Sequence, residues 1–150
     1  MQRSKGNQVT EQRVEPLTPD LISQNQKQRD WVKGHFTENA DEKYERLDGK
    51  LRLLDTIISQ KWIEPTETWK LQALGITLGD ALVQKLGMEW VTVEDEYGRD
   101  PSVCFADTKL MAHPLTMISK RIEDGEEVDV YDLFEKICER LEDLKDKGWK

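Results

Sequence analysis

At 150 residues the chain fits one domain with a single sizeable core, and 35% charged residues with a mean hydropathy of -0.74 place it among strongly solvated globular chains. No apolar run approaches the roughly 20 residues that cross a bilayer, and residues 1–8 lack the apolar region of a secretory signal, so a cytoplasmic protein without a membrane partner is expected. The formal net charge of -8 is unevenly placed: residues 1–87 hold 13 Lys/Arg and 13 Asp/Glu, residues 88–150 hold 9 and 17, and such a surplus of carboxylates argues against nucleic acid and for a basic partner.

Residues 1–17 mix Gln, Ser, Lys, Gly, Asn and Glu without apolar periodicity, so a mobile polar tail is expected, followed by a single α+β domain over residues 18–150. Thr18, Pro19 and Asp20 form a helix start, with Thr as N-cap and Pro at the first helical position. Leu21, Ile22, Trp31, Val32, His35 and Phe36 follow, but residues 23–30 are entirely polar, which predicts a helix docked mainly by its far end. After a break at Gly34 and residues 37–41, Leu47, Leu51, Leu54, Ile57 and Ile58 recur at helical spacing, and Trp62 and Ile63 close that second helix.

Pro65, Thr66 and Glu67 open a third helix whose Leu71, Leu74, Leu78, Leu82 and Leu86 make an apolar stripe ending at a Gly87 cap. Gly75 and Gly79 lie one turn apart inside it, each costing about 1 kcal/mol relative to Ala, so a neighbour is expected to approach closely there. From Met88 the period becomes two, with Trp90 and Thr92 on one face and Val91 and Val93 on the other. A charged connector over residues 94–101 leads to short strands at residues 103–106 and 110–112, which predicts helices packed on a small antiparallel three-stranded meander. Pro114 starts a short helix, residues 123–127 form a solvated loop, and Asp129 caps a last helix carrying Val130, Leu133, Phe134, Ile137, Cys138, Leu141 and Leu144.

Catalytic signatures are sparse. No H-E-x-x-H, D-x-D-x-D-G, C-x-x-C, G-x-S-x-G or Walker pattern occurs, so no cofactor, metal or catalytic residue is assigned. Asp95, Asp100 and His113 are the loose assembly that a metal-dependent enzyme would have to use. Cys104 and Cys138 sit in apolar patterns where cysteine acts as a small buried hydrophobe, and no disulfide is expected of them.

The ordered series Leu71-Gln72-Ala73-Leu74-Gly75, Gly79-Asp80, Gly87-Met88-Glu89-Trp90-Val91, Asp95-Glu96-Tyr97-Gly98-Arg99-Asp100-Pro101 and His113-Pro114-Leu115-Thr116-Met117-Ile118-Ser119-Lys120-Arg121 resembles the bacterial family catalogued as domain of unknown function 3806. The resemblance covers about residues 45–145. It implies a bacterial origin and a small α+β domain, with no established catalytic residues to carry over.

Composition and the missing catalytic signatures lead to a non-enzymatic binding protein, an immunity protein that neutralises a basic toxin or effector. The expected contact surface is Glu94, Asp95, Glu96, Tyr97, Arg99 and Asp100, flanked by Glu123, Asp124, Glu126 and Glu127. A housekeeping adaptor or regulatory module is the alternative, and a metal-dependent enzyme stands third.

Overall fold

Between Leu71 and Leu82 only Gln72, Thr77 and Asp80 are polar, so a helix there has almost no side to turn toward water. The computed structural model, which describes residues 12–148, builds the fold around that helix. In chain order come strand β1 (Arg13–Pro16), helices α1 (Pro19–Lys33), α2 (Ala40–Glu45), α3 (Leu47–Ser59) and α4 (Thr68–Leu86), and strands β2 (Glu89–Asp95), β3 (Gly98–Cys104) and β4 (Met111–Ala112). A 3-10 turn (Pro114–Thr116), α5 (Met117–Glu123) and α6 (Val130–Asp146) complete it.

Helix α4 is central. Its Leu71, Leu74, Leu78 and Leu82 are buried as the stripe predicts, but Ala73, Ile76, Thr77 and Ala81 are buried too, because α1, α3, α5, α6, β3 and the 3-10 turn all pack around it. The core continues through Leu51, Leu54 and Ile57 of α3, Val103 of β3, Ile118 of α5, and Val130, Phe134, Cys138 and Leu141 of α6. Gly75 and Gly79 are where the turn comes closest. A β-carbon on Gly75 would lie 2.5 Å from the Pro114 carbonyl oxygen and 2.7 Å from that of Leu115, and one on Gly79 would meet the Trp90 indole and the Pro114 ring. The expected close approach is therefore made by backbone at one glycine and by side chains at the other.

The sheet has four antiparallel strands in the order β1-β2-β3-β4, one more than expected. The fourth is Arg13–Pro16, which pairs with β2 from Arg13 opposite Glu94 to Pro16 opposite Val91. These residues belong to the stretch expected as a tail, residues 1–11 of which lie outside the described residues. Arg13, Val14 and Pro16 are exposed, so the strand is held by backbone hydrogen bonds and leaves no apolar alternation to read. The connector expected over residues 94–101 also proves to be mostly strand, since Glu94 pairs with Arg99 and Asp95 with Gly98, leaving a two-residue loop. Pro101 sits inside β3 opposite Thr92, and β4 pairs only with Val103 and Cys104, so no ladder bond is demanded of Pro101 on that side.

Two expectations about the helices need correction. Helix α1 docks along its whole length through Leu21, Asn25, Gln28 and Val32, a helical stripe whose middle is amide rather than hydrocarbon, which is why a search for apolar residues stops short of it. The Gln28 amide donates to the Trp69 carbonyl at 3.2 Å, and the Thr18 backbone N–H donates to Thr92 Oγ1 at 3.0 Å, tying the start of α1 to β2. The second helix stands as expected in α3, but the stretch expected as a break already holds the start of a further short helix, α2, which Arg46, in an extended conformation (φ -90°, ψ 142°), separates from α3.

Replacing Gly75 by Ala sets a methyl group against two backbone carbonyls that belong to a proline-initiated turn. Equilibrium urea unfolding should show Gly75→Ala less stable by about 2–3 kcal/mol, despite the gain in helix propensity; unchanged stability would mean that the turn yields freely.

Candidate functional site

The surface expected to meet a partner is built on the β2–β3 hairpin. Its loop is Glu96-Tyr97, and the Asp95 carboxylate accepts the Tyr97 backbone N–H at 2.8 Å, an Asx turn that fixes the tip. Gly98 follows with φ +128°, a conformation open to glycine and unfavourable for other residues. Just behind the loop the hairpin is held on both strands: Arg13 donates to Glu94 at 2.6 Å, and Arg99 reaches Asp20 of α1 at 3.4 Å. Tyr97 is 90% exposed at the tip, with Glu96 and Asp100 exposed beside it.

Glu123, Asp124, Glu126 and Glu127 form a second exposed acidic stretch where α5 ends. Its backbone is closed by hydrogen bonds from Asp124 N–H to Lys120 O, Gly125 N–H to Ile122 O and Glu126 N–H to Arg121 O, at 3.0, 3.0 and 2.9 Å. Among the described residues no hydrogen bond or ion pair links this stretch to the hairpin. Arg121 turns back along α5, its Nη1 donating to the Met117 carbonyl at 2.8 Å.

Asp95, Asp100 and His113 are not drawn into one centre. Asp95 is engaged by its own turn, and His113 Nδ1 lies 2.8 Å from Ser102 Oγ, a bond that fastens β3 to the start of the 3-10 turn. That distance would suit a nucleophile and its base, but the Ser102 hydroxyl belongs to a fully buried residue that a substrate could not reach. Among the described residues no group of three His, Cys, Asp or Glu side chains is placed to hold a metal ion. Cys104 and Cys138 are free and buried, and burial, reinforced by Glu142, pushes the Cys138 thiol up to about 11.

The densest polar constellation was not singled out by the sequence reading. It surrounds Asp80, on the face of α4 turned toward α1, α2 and β2. Asp80 Oδ2 accepts from Arg29 Nε at 2.6 Å and from the Tyr44 hydroxyl at 2.5 Å, while Oδ1 accepts from Arg29 Nη2 and Trp90 Nε1, each at 2.9 Å. The Tyr44 oxygen lies 3.0 Å from Thr77 Oγ1; since its single proton goes to the carboxylate, the Thr77 hydroxyl donates to it. Burial opposes the charge on Arg29, but hydrogen bonds and attraction from Asp80 outweigh it and raise its pKa. Burial and then the Asp80 charge hold the Tyr44 phenol far above its ordinary range, so it remains a donor.

Lys50 extends the constellation by donating to Gln84 Oε1 at 2.6 Å, and Gln84 donates in turn to the Glu45 carbonyl at 2.9 Å; burial lowers the Lys50 pKa. Four donors on two carboxylate oxygens use the acceptor positions that Asp80 has, so it is built to hold elements together and has no free oxygen for acid–base work. A signal for it was available: Asp80 is the one charged residue in a twelve-residue helical stretch that is otherwise almost wholly apolar.

Comparison with known proteins adds to this geometry. The model of the family described as "Domain of unknown function (DUF3806)" matches residues 50–134. A search of curated proteins found no match. The fold is similar to that of a crystal structure from Bacteroides thetaiotaomicron VPI-5482, with a TM-score of 0.73 and 17% sequence identity, over 93% of this chain and 52% of that one. The chain thus spans about half the length of that relative.

Asp80→Ala leaves the Arg29 guanidinium and the Tyr44 and Trp90 donors without their acceptor, and urea unfolding should show a loss of about 3–5 kcal/mol. The Tyr44 phenol makes a separate prediction with a definite sign. Below the ordinary tyrosine value of 10.0 both folded and unfolded chains hold its proton. Above that value the unfolded chain releases the proton while the folded chain keeps it, so stability falls as pH rises. Denaturation midpoints between pH 9 and about pH 11 should therefore fall, and fall less steeply in Tyr44→Phe.

Proposed function

Because this chain belongs to the DUF3806 family, described only as a domain of unknown function, we propose from its geometry that it is a small acidic binding protein that neutralises a cognate basic toxin or effector domain by direct contact. The observation that carries this reading is Tyr97, 90% exposed at the end of a pinned hairpin with Glu96 and Asp100 beside it. A large aromatic side chain held in water on a two-residue loop contributes nothing to the core, and its rigid two-torsion side chain suits it to anchor a partner at small entropic cost. The carboxylates around it supply attraction at long range, speeding encounter with a basic surface, while affinity rests on the anchor.

Support for a binding role over a catalytic one comes from the way potential catalytic groups are spent. Asp80 is saturated by four donors, Ser102 is buried behind its hydrogen bond to His113, and Asp95 closes a turn. Glu123, Asp124, Glu126 and Glu127 serve in this reading as an acidic flank.

The test is capture of partners from the native cell by the full chain, compared with Tyr97→Ala and with the double variant Glu96→Lys, Asp100→Lys. One dominant basic partner should be lost with the charge reversal and weakened by about 2 kcal/mol with Tyr97→Ala, and its association rate should fall steeply as salt is added. A partner encoded beside this chain within a large modular toxin supports neutralisation; retention of the same partner by both variants, or a salt-insensitive association rate, overturns the assignment to the hairpin.

A further inference from the structure

A second surface, far from the hairpin in sequence and of opposite charge, lies between the end of α1, the α2–α3 junction and the residues after α3. It is a cavity of about 420 Å³, within the range of sites that hold small molecules. Gly49, Arg52, Leu53 and Thr56, at positions i, i+3, i+4 and i+7, turn one face of α3 into it. A β-carbon on Gly49 would collide with the Lys43 carbonyl, so this glycine lets α3 close onto α2 and brings Lys43 to the same cavity as Arg52.

The charge balance of the cavity is positive. Lys43, Arg46 and Arg52 line it against one carboxylate, Asp48. Both oxygens of Asp48 are occupied by Arg46, through Nε at 3.1 Å and Nη2 at 3.0 Å, so that pair is internally neutral. The Lys43 ammonium stands 5.4 Å from the Phe36 ring centroid, and among the described residues neither it nor Arg52 has a carboxylate within ion-pair distance. Two uncompensated cations facing one cavity are notable in a chain whose net charge is -8.

The remaining wall is aromatic. Trp62 is 51% exposed and stacks on His35, with ring centroids 5.7 Å apart and planes inclined by 17°. His35 is itself held in place, its Nδ1 lying 3.0 Å from the Trp31 carbonyl and 3.2 Å from that of Val32, which makes Nδ1 the donor and leaves Nε2 unused by these bonds. An indole stacked on one face and exposed on the other is a platform on which a flat ring can lie.

We propose that this cavity binds a nucleoside diphosphate, with the base on Trp62 and the phosphates against Lys43 and Arg52. The combination selects the class: cations alone would serve any anion, and an exposed indole alone would serve any ring, but both in one small-molecule-sized cavity favour a ligand that carries a flat ring and a compact negative charge together. The site uses no residue of the hairpin or of the Asp80 constellation, and it stands independently of the proposed partner.

Isothermal titration of the full-length protein with adenosine, guanosine, cytidine and uridine diphosphates, and with pyrophosphate and the free nucleosides, tests it. At least one diphosphate should bind at least tenfold more tightly than both pyrophosphate and its own nucleoside, with affinity falling as salt rises. Arg52→Ala and Trp62→Ala should each weaken that binding by at least tenfold, and Tyr97→Ala should leave it unchanged. Both altered cavity residues are exposed, and unfolding curves matching the parent chain would establish that they fold. Absence of binding by all four diphosphates, pyrophosphate binding as tightly as the diphosphates, or diphosphate binding untouched by either cavity variant overturns the proposal.

Discussion

A single carboxylate set into the largely apolar middle of α4 constrains the arrangement of everything around it. The leucines of α4 bring neighbours close by a force that has no direction, so they fix proximity but not rotation. Asp80 supplies direction, because Arg29, Tyr44 and Trp90 must each arrive with a donor aimed at one of two oxygens. Those three residues come from α1, α2 and β2. One charge therefore sets the register of two helices and a strand against the central helix, and leaving it unpaired would be costlier than any single methyl group lost from the core.

Trp90 joins this polar constraint to a steric one. Its indole lies over Gly79 while its N–H reaches Asp80, so adjacent residues of α4 serve the same ring, one by offering no side chain and the other by accepting a hydrogen bond. Gly75, one turn away, receives the backbone of the turn that begins at Pro114. Helix α4 is thus shaped to take the sheet and the turn on one side and the paired helices on another, and the two surfaces proposed for binding are carried at its periphery. The hairpin projects from β2, which is anchored through Trp90, and the cavity forms where α2 folds back on α3.

Much of the fold could be read from periodicity because burial drives it. The stripes of α3, α4 and α6, the alternation in β2, the Asp129 cap, whose carboxylate accepts the Asp132 N–H at 3.1 Å, and the close approach at Gly75 and Gly79 all leave marks in residue type and spacing. What escaped is held by other forces. Strand β1 depends on backbone pairing, to which side-chain alternation is blind, and the middle of α1 is buried through Asn25 and Gln28, which look solvated in a sequence. The Asp80 constellation gathers residues 29, 44, 77, 80 and 90, and no local pattern announces that they meet. The hairpin was recognisable as a charged turn, whereas its two-residue loop follows from a register visible only once the strands are paired.

Strand β1 also bears on how the sheet ends. It is four residues long, pairs with residues about eighty positions later in the chain, and buries little apolar surface, so its attachment is non-local and rests on few contacts. Its neighbour β2 carries Val91 and Val93 in a small apolar cluster with Cys104 and Met111. Without β1, β2 would present an unpaired row of N–H and C=O groups beside those valines, which is the form of edge that accepts a strand from another chain. Strand β1 thus covers the edge of β2 and keeps that row of backbone groups from other chains.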